Sequence, residues 1–200
     1  MVSGAHSRPH GLATGFKEYG ECITMVSTIP VAVVHNTLRD CRIGIWVQRG
    51  TGHDLTRNTV TNTTVANVTW GLRLDDTGGA ITWANVHDNN TFTGWTYGVW
   101  INANLVDLTN FRLFWSDLKA NSVALQVSGT LPGPNYFNAK CNWWAGISSS
   151  PPNNLGPKDT SFGPPDSNPS GTGQPVSDYF YYRGWLNATG SSPSTTCGQQ

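Results

Sequence analysis

Four short apolar segments recur along this chain at a nearly constant interval: Ile43-Gly44-Ile45-Trp46-Val47, Trp70-Gly71-Leu72-Arg73-Leu74, Tyr97-Gly98-Val99-Trp100-Ile101 and Val123-Ala124-Leu125-Gln126-Val127. Their small residues stand at 44, 71, 98 and 124, so the intervals are 27, 27 and 26 residues. A fixed period of this length marks stacked repeat units, each too small to bury its apolar face alone and each covering its neighbour's.

Within each segment the pattern alternates. Ile45 and Val47, Leu72 and Leu74, Val99 and Ile101, and Leu125 and Val127 share one face, while Trp46, Arg73, Trp100 and Gln126 take the other. Period-two patterning predicts a half-buried strand, and four such strands in register make a parallel sheet. A second strand signal precedes each segment, in Asn36-Thr37-Leu38, Asn58-Thr59-Val60, Asn90-Thr91-Phe92 and Phe111-Arg112-Leu113. Val33, Leu55 and Leu108 add a third apolar position five residues before Leu38, Val60 and Leu113. Three short strands per unit with Gly and Asn at the corners describe an all-β solenoid, its corner loops absorbing the variation in length. Tyr19-Gly20 reads as an earlier rung, 24 residues before Gly44.

Composition narrows the function. Hydrophobic residues make up 38% and aromatics 11% of the 200 residues, enough for a buried core, while only 12% are charged and the formal net charge is zero. A chain without a basic stripe is a poor binder of a phosphate backbone. Asn, Thr, Ser and Gly stand in for the missing charge, a composition common in secreted β-proteins, so an extracellular or cell-surface location is expected. Met1 to Pro9 has no apolar signal core, which implies that a leader has been removed or that the chain is a piece of a longer protein, and no stretch is apolar enough to span a bilayer. Cys22, Cys41, Cys141 and Cys197 match no zinc spacing. Three disulfide connectivities are open, and sequential pairing would staple both ends of the stack. Asn62, Asn67, Asn89 and Asn187 begin N-glycosylation triplets.

The carboxyl-terminal part carries a resemblance. Asn138-Ala139-Lys140-Cys141-Asn142-Trp143-Trp144-Ala145-Gly146, then Gly156-Pro157, resembles the Asn-Trp-Trp-Gly and Gly-Pro element closing many parallel β-helices of the pectin-lyase-like superfamily, with Ala145 displacing the usual glycine by one position. Val176-Ser177-Asp178-Tyr179 and Gly184-Trp185-Leu186 are similar to the tail that often follows it. The resemblance implies a right-handed parallel β-helix of about five coils over residues 18–146. Residues 1–17 read as an irregular segment with no capping helix, 147–189 as an irregular capping extension rich in Pro, Gly and Ser, and 190–200 as a flexible tail. Trp143 and Trp144 suit the task of covering the apolar end of the stack. The amino end has no such device, which points to self-association or further coils there.

Chemistry on such a scaffold belongs on its outward columns. Trp46 and Trp100, two rungs apart, stand roughly 10 Å from each other, about the length of one disaccharide, with Arg73 between them and Gln126 continuing the line. Gln48, Asp75, Asn102 and Ser128 form the next column. Aromatic faces stack on sugar C–H faces while amides and a guanidinium give directional hydrogen bonds, so Trp46, Arg73, Trp100, Gln126, Gln48 and Asn102 read as a polysaccharide platform. In the other reading the two indoles clamp Arg73 by cation–π contact.

Catalysis has weaker candidates, Arg73, Asp75 and Asp76. Lyases of the superfamily set carboxylates, often with calcium, beside a basic residue, and Asp75, Asp76 and Asn102 offer oxygens to calcium. The Asn-Thr-Asp, Asp-Asp, Gly-His-Gly and Arg-x-Lys elements of the superfamily's hydrolases do not occur in that order. Gly52-His53-Asp54 precedes Asp75-Asp76, and no Arg-x-Lys exists. His35, His53 and His87 read as solvated corner residues. The expected function is an extracellular polysaccharide-binding module that requires no cofactor, with a self-assembling structural subunit and a calcium-dependent lyase as alternatives.

Overall fold

The computed structural model describes residues 20–75, 81–102, 111–129, 137–144, 156–159, 166–177, 180–182 and 184–186. They contain strands and no helix: β1 (Glu21–Val26), β2 (Ala32–Val34), β3 (Thr37–Arg39), β4 (Ile43–Thr56), β5 (Thr59–Thr61), β6 (Trp70–Leu74), β7 (Ile81–His87), β8 (Thr91–Thr93), β9 (Tyr97–Asn102), β10 (Arg112–Leu113), β11 (Val123–Ser128), β12 (Phe137–Asn138) and β13 (Phe180–Tyr181).

The strands pair in parallel and stack on three faces. The first face runs β1, the start of β4, β6, β9, β11. The second runs β2, the end of β4, β7, β10, β12, β13. The third holds β3, β5 and β8, and single bridges from Thr91 to Asp117 and on to Trp143 extend it. Because β4 serves two faces, these join into one 10-stranded sheet that curls around the core, compatible with a β-helix-like coil. The bend in β4 falls at Gly50 and Gly52, whose φ angles of 102° and 71° suit glycine, and the register with β7 slips there.

Inside, equivalent apolar residues stack rung on rung. Ile45, Leu72, Val99 and Leu125 form one wholly buried column, and Val33, Leu55, Val86 and Leu113 another. Leu38, Val60 and Phe92 make the third-face column. Phe111-Arg112-Leu113 is not the fourth third-face strand: Arg112 and Leu113 pair with Asn85 and Val86 on the second face, and Leu118 follows Phe92 instead. Short apolar runs of equal character cannot be told apart by pattern, only by pairing. Leu108 lies outside the described residues.

The recurrent glycine has a steric cause. A Cβ on Gly44, Gly71 or Gly98 would come within 2.6, 2.6 and 2.7 Å of the carbonyl oxygen of Gly71, Gly98 and Ala124, the next rung in each case. Backbone oxygens held in a ladder cannot retreat, so the coils approach this closely only where the side chain is a hydrogen. Register also corrects the first rung: Glu21 lies opposite Ile43 and Ile23 opposite Ile45, which puts Cys22 and not Gly20 in the glycine column. Ile23 and Met25 then turn inward, and Glu21 is exposed. Gly71→Ala is expected to lower unfolding free energy by about 1–3 kcal/mol through overpacking. Ala124→Gly should cost about 0.5–1 kcal/mol. Urea denaturation of both variants checks the contrast.

At the corner between the second and third faces, His35, Arg57, Asn89, Trp115 and Cys141 adopt positive φ, each just before Asn36, Asn58, Asn90, Ser116 or Asn142. The asparagines bond from coil to coil. Asn58, wholly buried, donates from its backbone N and from Nδ2 to Asn90 Oδ1, both at 3.0 Å, and from Nδ2 to Val33 O at 2.7 Å. Its own Oδ1 accepts from Asn36 N and Nδ2 at 3.1 and 3.0 Å. Asn142 repeats the device, accepting from Ser116 N and donating to Leu113 O and Ala139 O. An amide suits this corner because it offers donors and an acceptor at once, leaving no buried carbonyl unpaired. Asn58→Ala strands several buried partners, each worth about 1–3 kcal/mol. The expected loss, on the order of 3 kcal/mol, is read from the shift in urea midpoint.

The two ends differ. Segment 156–186 is not only an irregular wrap: β13 extends the second face, Val176 bridges to Leu125, and Val176, Phe180, Tyr182 and Leu186 are buried. Trp144 sits wholly buried in the core and Trp143 is 8% exposed. At the amino end Cys22 bonds Cys41, their Cα atoms 5.8 Å apart, tying β1 to the corner before β4. Cys141 is also disulfide-bonded. Residues 1–19, Cys197 and the expected tail at 190–200 lie outside the described residues.

Candidate functional site

The first face carries one outward column whose members were legible in the alternation. Trp46 lies opposite Arg73, Arg73 opposite Trp100, and Trp100 opposite Gln126. Trp46, Arg73, Trp100 and Gln126 are all half-buried. Between the indoles, the Arg73 guanidinium carbon stands 5.0 Å from the Trp46 ring centre and 5.2 Å from that of Trp100. It is also 4.9 Å from Trp70. Cation–π attraction to three rings makes this the clamp arrangement, and Trp46 and Trp100 remain half-buried in it.

Trp70, Tyr97 and Arg42 belong to the same face and were not expected there. Strict alternation assigns Trp70 inward with Leu72 and Leu74, but it precedes the glycine at the corner and stays half-exposed. It stacks on Tyr97 at 6.5 Å, and Arg42 lies 5.8 Å from its ring centre. The clue was available: positions 70 and 97 are 27 apart, the glycine period itself.

Asp75 locks the cluster from the side. Arg73 donates from Nη2 in a close ion pair, and from Nε at 3.1 Å, to Asp75 Oδ2. Asn102 Nδ2 donates to Asp75 Oδ1 at 3.1 Å, and Trp46 Nε1 donates to the Asp75 carbonyl at 3.1 Å. Both carboxylate oxygens therefore accept hydrogen bonds, and Asn102 turns its nitrogen toward the acid. Among the described residues no cluster of three His, Cys, Asp or Glu side chains is arranged to hold a metal ion. Asp76 lies outside the described residues, so the pair of acids proposed for catalysis is represented by Asp75, and Asp75 is bonded to Arg73.

The remaining candidates scatter. Gln126 Nε2 donates to the Val127 carbonyl at 2.6 Å, and Gln48 is half-buried one step along β4. His53 is not a solvated corner residue: it is wholly buried, its Nδ1 accepting from Val31 N at 3.2 Å and its Nε2 donating to Arg49 O at 2.5 Å. The glycine bend of β4 turns it inward. His35 and His87 do sit on outer corners, His87 contacting Asp54 at 2.8 Å and Asp88 at 3.2 Å. Asp40 is held below the usual aspartate range: partial burial opposes this, but hydrogen bonds from Thr63 N and Oγ1 at 2.7 and 2.9 Å outweigh it. Of the glycosylation triplets, Asn67 and Asn89 are exposed. Asn62 is 8% exposed and its Nδ2 donates to Val65 O and Thr69 Oγ1, so the folded chain leaves no room for a glycan there. Asn187 lies outside the described residues.

Comparison with protein families, characterised proteins and solved structures finds no match. No helix among the described residues is long and apolar enough to cross a membrane.

Asp75→Ala frees the guanidinium among the indoles. Side-chain exposures of 22% for Arg73 and 10% for Asp75 place the pair between surface and interior. The expected loss is then between the ~1 kcal/mol of an exposed pair and the ~3 kcal/mol of a buried one. Urea denaturation gives the value, and a shift in tryptophan emission reports the loosened cluster.

Proposed function

We propose that this chain is an extracellular module of the right-handed parallel β-helix type, related to the pectin-lyase-like superfamily, that holds polysaccharide against its first face. Trp46 and Trp100 provide the stacking surfaces, Arg73 sets their spacing, and Gln48, Asn102 and Gln126 supply hydrogen bonds at the margins. One observation carries the reading: two half-buried indoles stand two rungs apart on a parallel ladder, with the guanidinium between them 5.0 and 5.2 Å from their ring centres. A rigid pair of aromatic platforms at a disaccharide repeat lowers the ordering cost of binding an extended chain. Parallel stacking of three strand faces supports the fold type, and a disulfide fits an oxidising compartment.

A self-assembling structural role is the second reading, favoured by the first coil. Val26, Ile29 and Val34 are 49%, 62% and 41% exposed there, and β1, β2 and β3 each have a strand partner on one side among the described residues. Exposed apolar edges of this kind invite strand addition. The lyase reading gains no support, because Arg73 and Asp75 are bonded to each other.

A polysaccharide array probed with the wild type and with a Trp46→Ala/Trp100→Ala double variant, with product absorbance followed in parallel, tests the proposal. The expected result is glycan retention by the wild type, its loss in the variant and no unsaturated product. Absence of retention on every glycan, with concentration-dependent association in its place, would put the structural role first.

A further inference from the structure

We infer that the glycan held on this face is an uncharged chain of neutral pyranoses and not a polyuronate, an inference that rests on the polysaccharide reading above. A polyanion is captured by cations whose charge is available, and its affinity falls steeply with salt as counterions return. Arg73, the one cation in the Trp46 to Gln126 column, is already paired: Asp75 accepts hydrogen bonds from its Nε and Nη2, three indole rings lie 4.9, 5.0 and 5.2 Å from its guanidinium carbon, and 22% of the side chain reaches solvent. A uronate that took Arg73 would strand Asp75, which is 7% exposed, as an unpaired buried carboxylate. A uronate that left the pair intact would face a site of no net charge with Asp75 close by.

Neighbouring positions agree. Gln48, Asn102, Ser128, Gln126 and Thr24 are uncharged, and Thr24 and Ser128 line up with Trp46 and Asn102. Two further cations flank the column, Arg42 at the corner over Trp70 and exposed Arg49 next to Gln48 on β4, and neither stands in the line of Trp46, Arg73, Trp100 and Gln126. Indole surfaces bracketed by amides and hydroxyls bind through C–H stacking and neutral hydrogen bonds, which salt does not screen. Nor does any step need calcium, since the carboxylate that would hold it is spent on Arg73.

Calorimetric titration of the full chain with cellohexaose, mannohexaose and polygalacturonate, at low and high salt and with EDTA, decides the matter. Expected is binding of a neutral hexasaccharide that neither salt nor EDTA alters, weakened about tenfold or more by Trp46→Ala/Trp100→Ala. Since that variant removes two rings from a packed cluster, the wild-type indole N–H resonances are followed in the same titration, and those of Trp46 and Trp100 are expected to shift. Polygalacturonate binding that collapses at high salt, with the same indole shifts, would overturn the neutral-ligand inference and leave the platform standing. Failure of all three ligands to bind, or binding that leaves both indoles unmoved, would overturn the platform reading and this inference with it.

Discussion

Parallel strands stacked by backbone hydrogen bonds can slip along one another at little cost unless side chains forbid it, and everything in this structure depends on that slip being forbidden. Two contacts do so. Gly44, Gly71 and Gly98 each lie against a carbonyl oxygen of the following rung, a fit available at one register only. On the other side of the coil, the Asn36, Asn58 and Asn90 amides bond from rung to rung and to the strand-end carbonyls. With both corners pinned, the apolar columns between them fall into line, and their burial supplies the bulk of the driving force.

The outward face inherits the same registration. Trp46, Arg73 and Trp100 come from strands far apart in sequence, yet stand in consecutive rungs because the glycines beside them do. Once aligned, the guanidinium is held by three indole rings and one carboxylate, and the Asp75 carboxylate, which also accepts from Asn102, ties the end of the β6 segment to the neighbouring strand.

The two ends of the stack are treated differently. Trp144, Val176, Phe180 and Leu186 bury the carboxyl-terminal rungs, whereas the coil built from β1, β2 and β3 presents Val26, Ile29 and Val34 to solvent. Among the described residues β1, β2 and β3 each have a strand partner on one side, and the disulfide between Cys22 and Cys41 ties this first coil to the corner before β4.

What the sequence determined by itself was the local and periodic part: the strand alternation, the inward column from Ile45 to Leu125, and the outward line of Trp46, Arg73, Trp100 and Gln126. These follow from a period of two within a strand and about 27 between strands, and both periods are written in residue order. The assignment of Phe111-Arg112-Leu113, the true first rung at Cys22, the burial of His53 and the outward place of Trp70 were decided by tertiary structure. For His53 the cause is the bend at Gly50 and Gly52, whose positive φ angles restart the alternation with a new phase, and for the others it is strand pairing, which residue order does not state. The ion pair between Arg73 and Asp75 was settled by tertiary structure too: two residues apart in the chain, they read equally well as independent groups until Trp46 and Trp100 from the neighbouring strands, with Trp70 of the same strand, confined the guanidinium beside the acid. Residue order sets which side chains repeat, while the distance between them exists only after the coils have stacked.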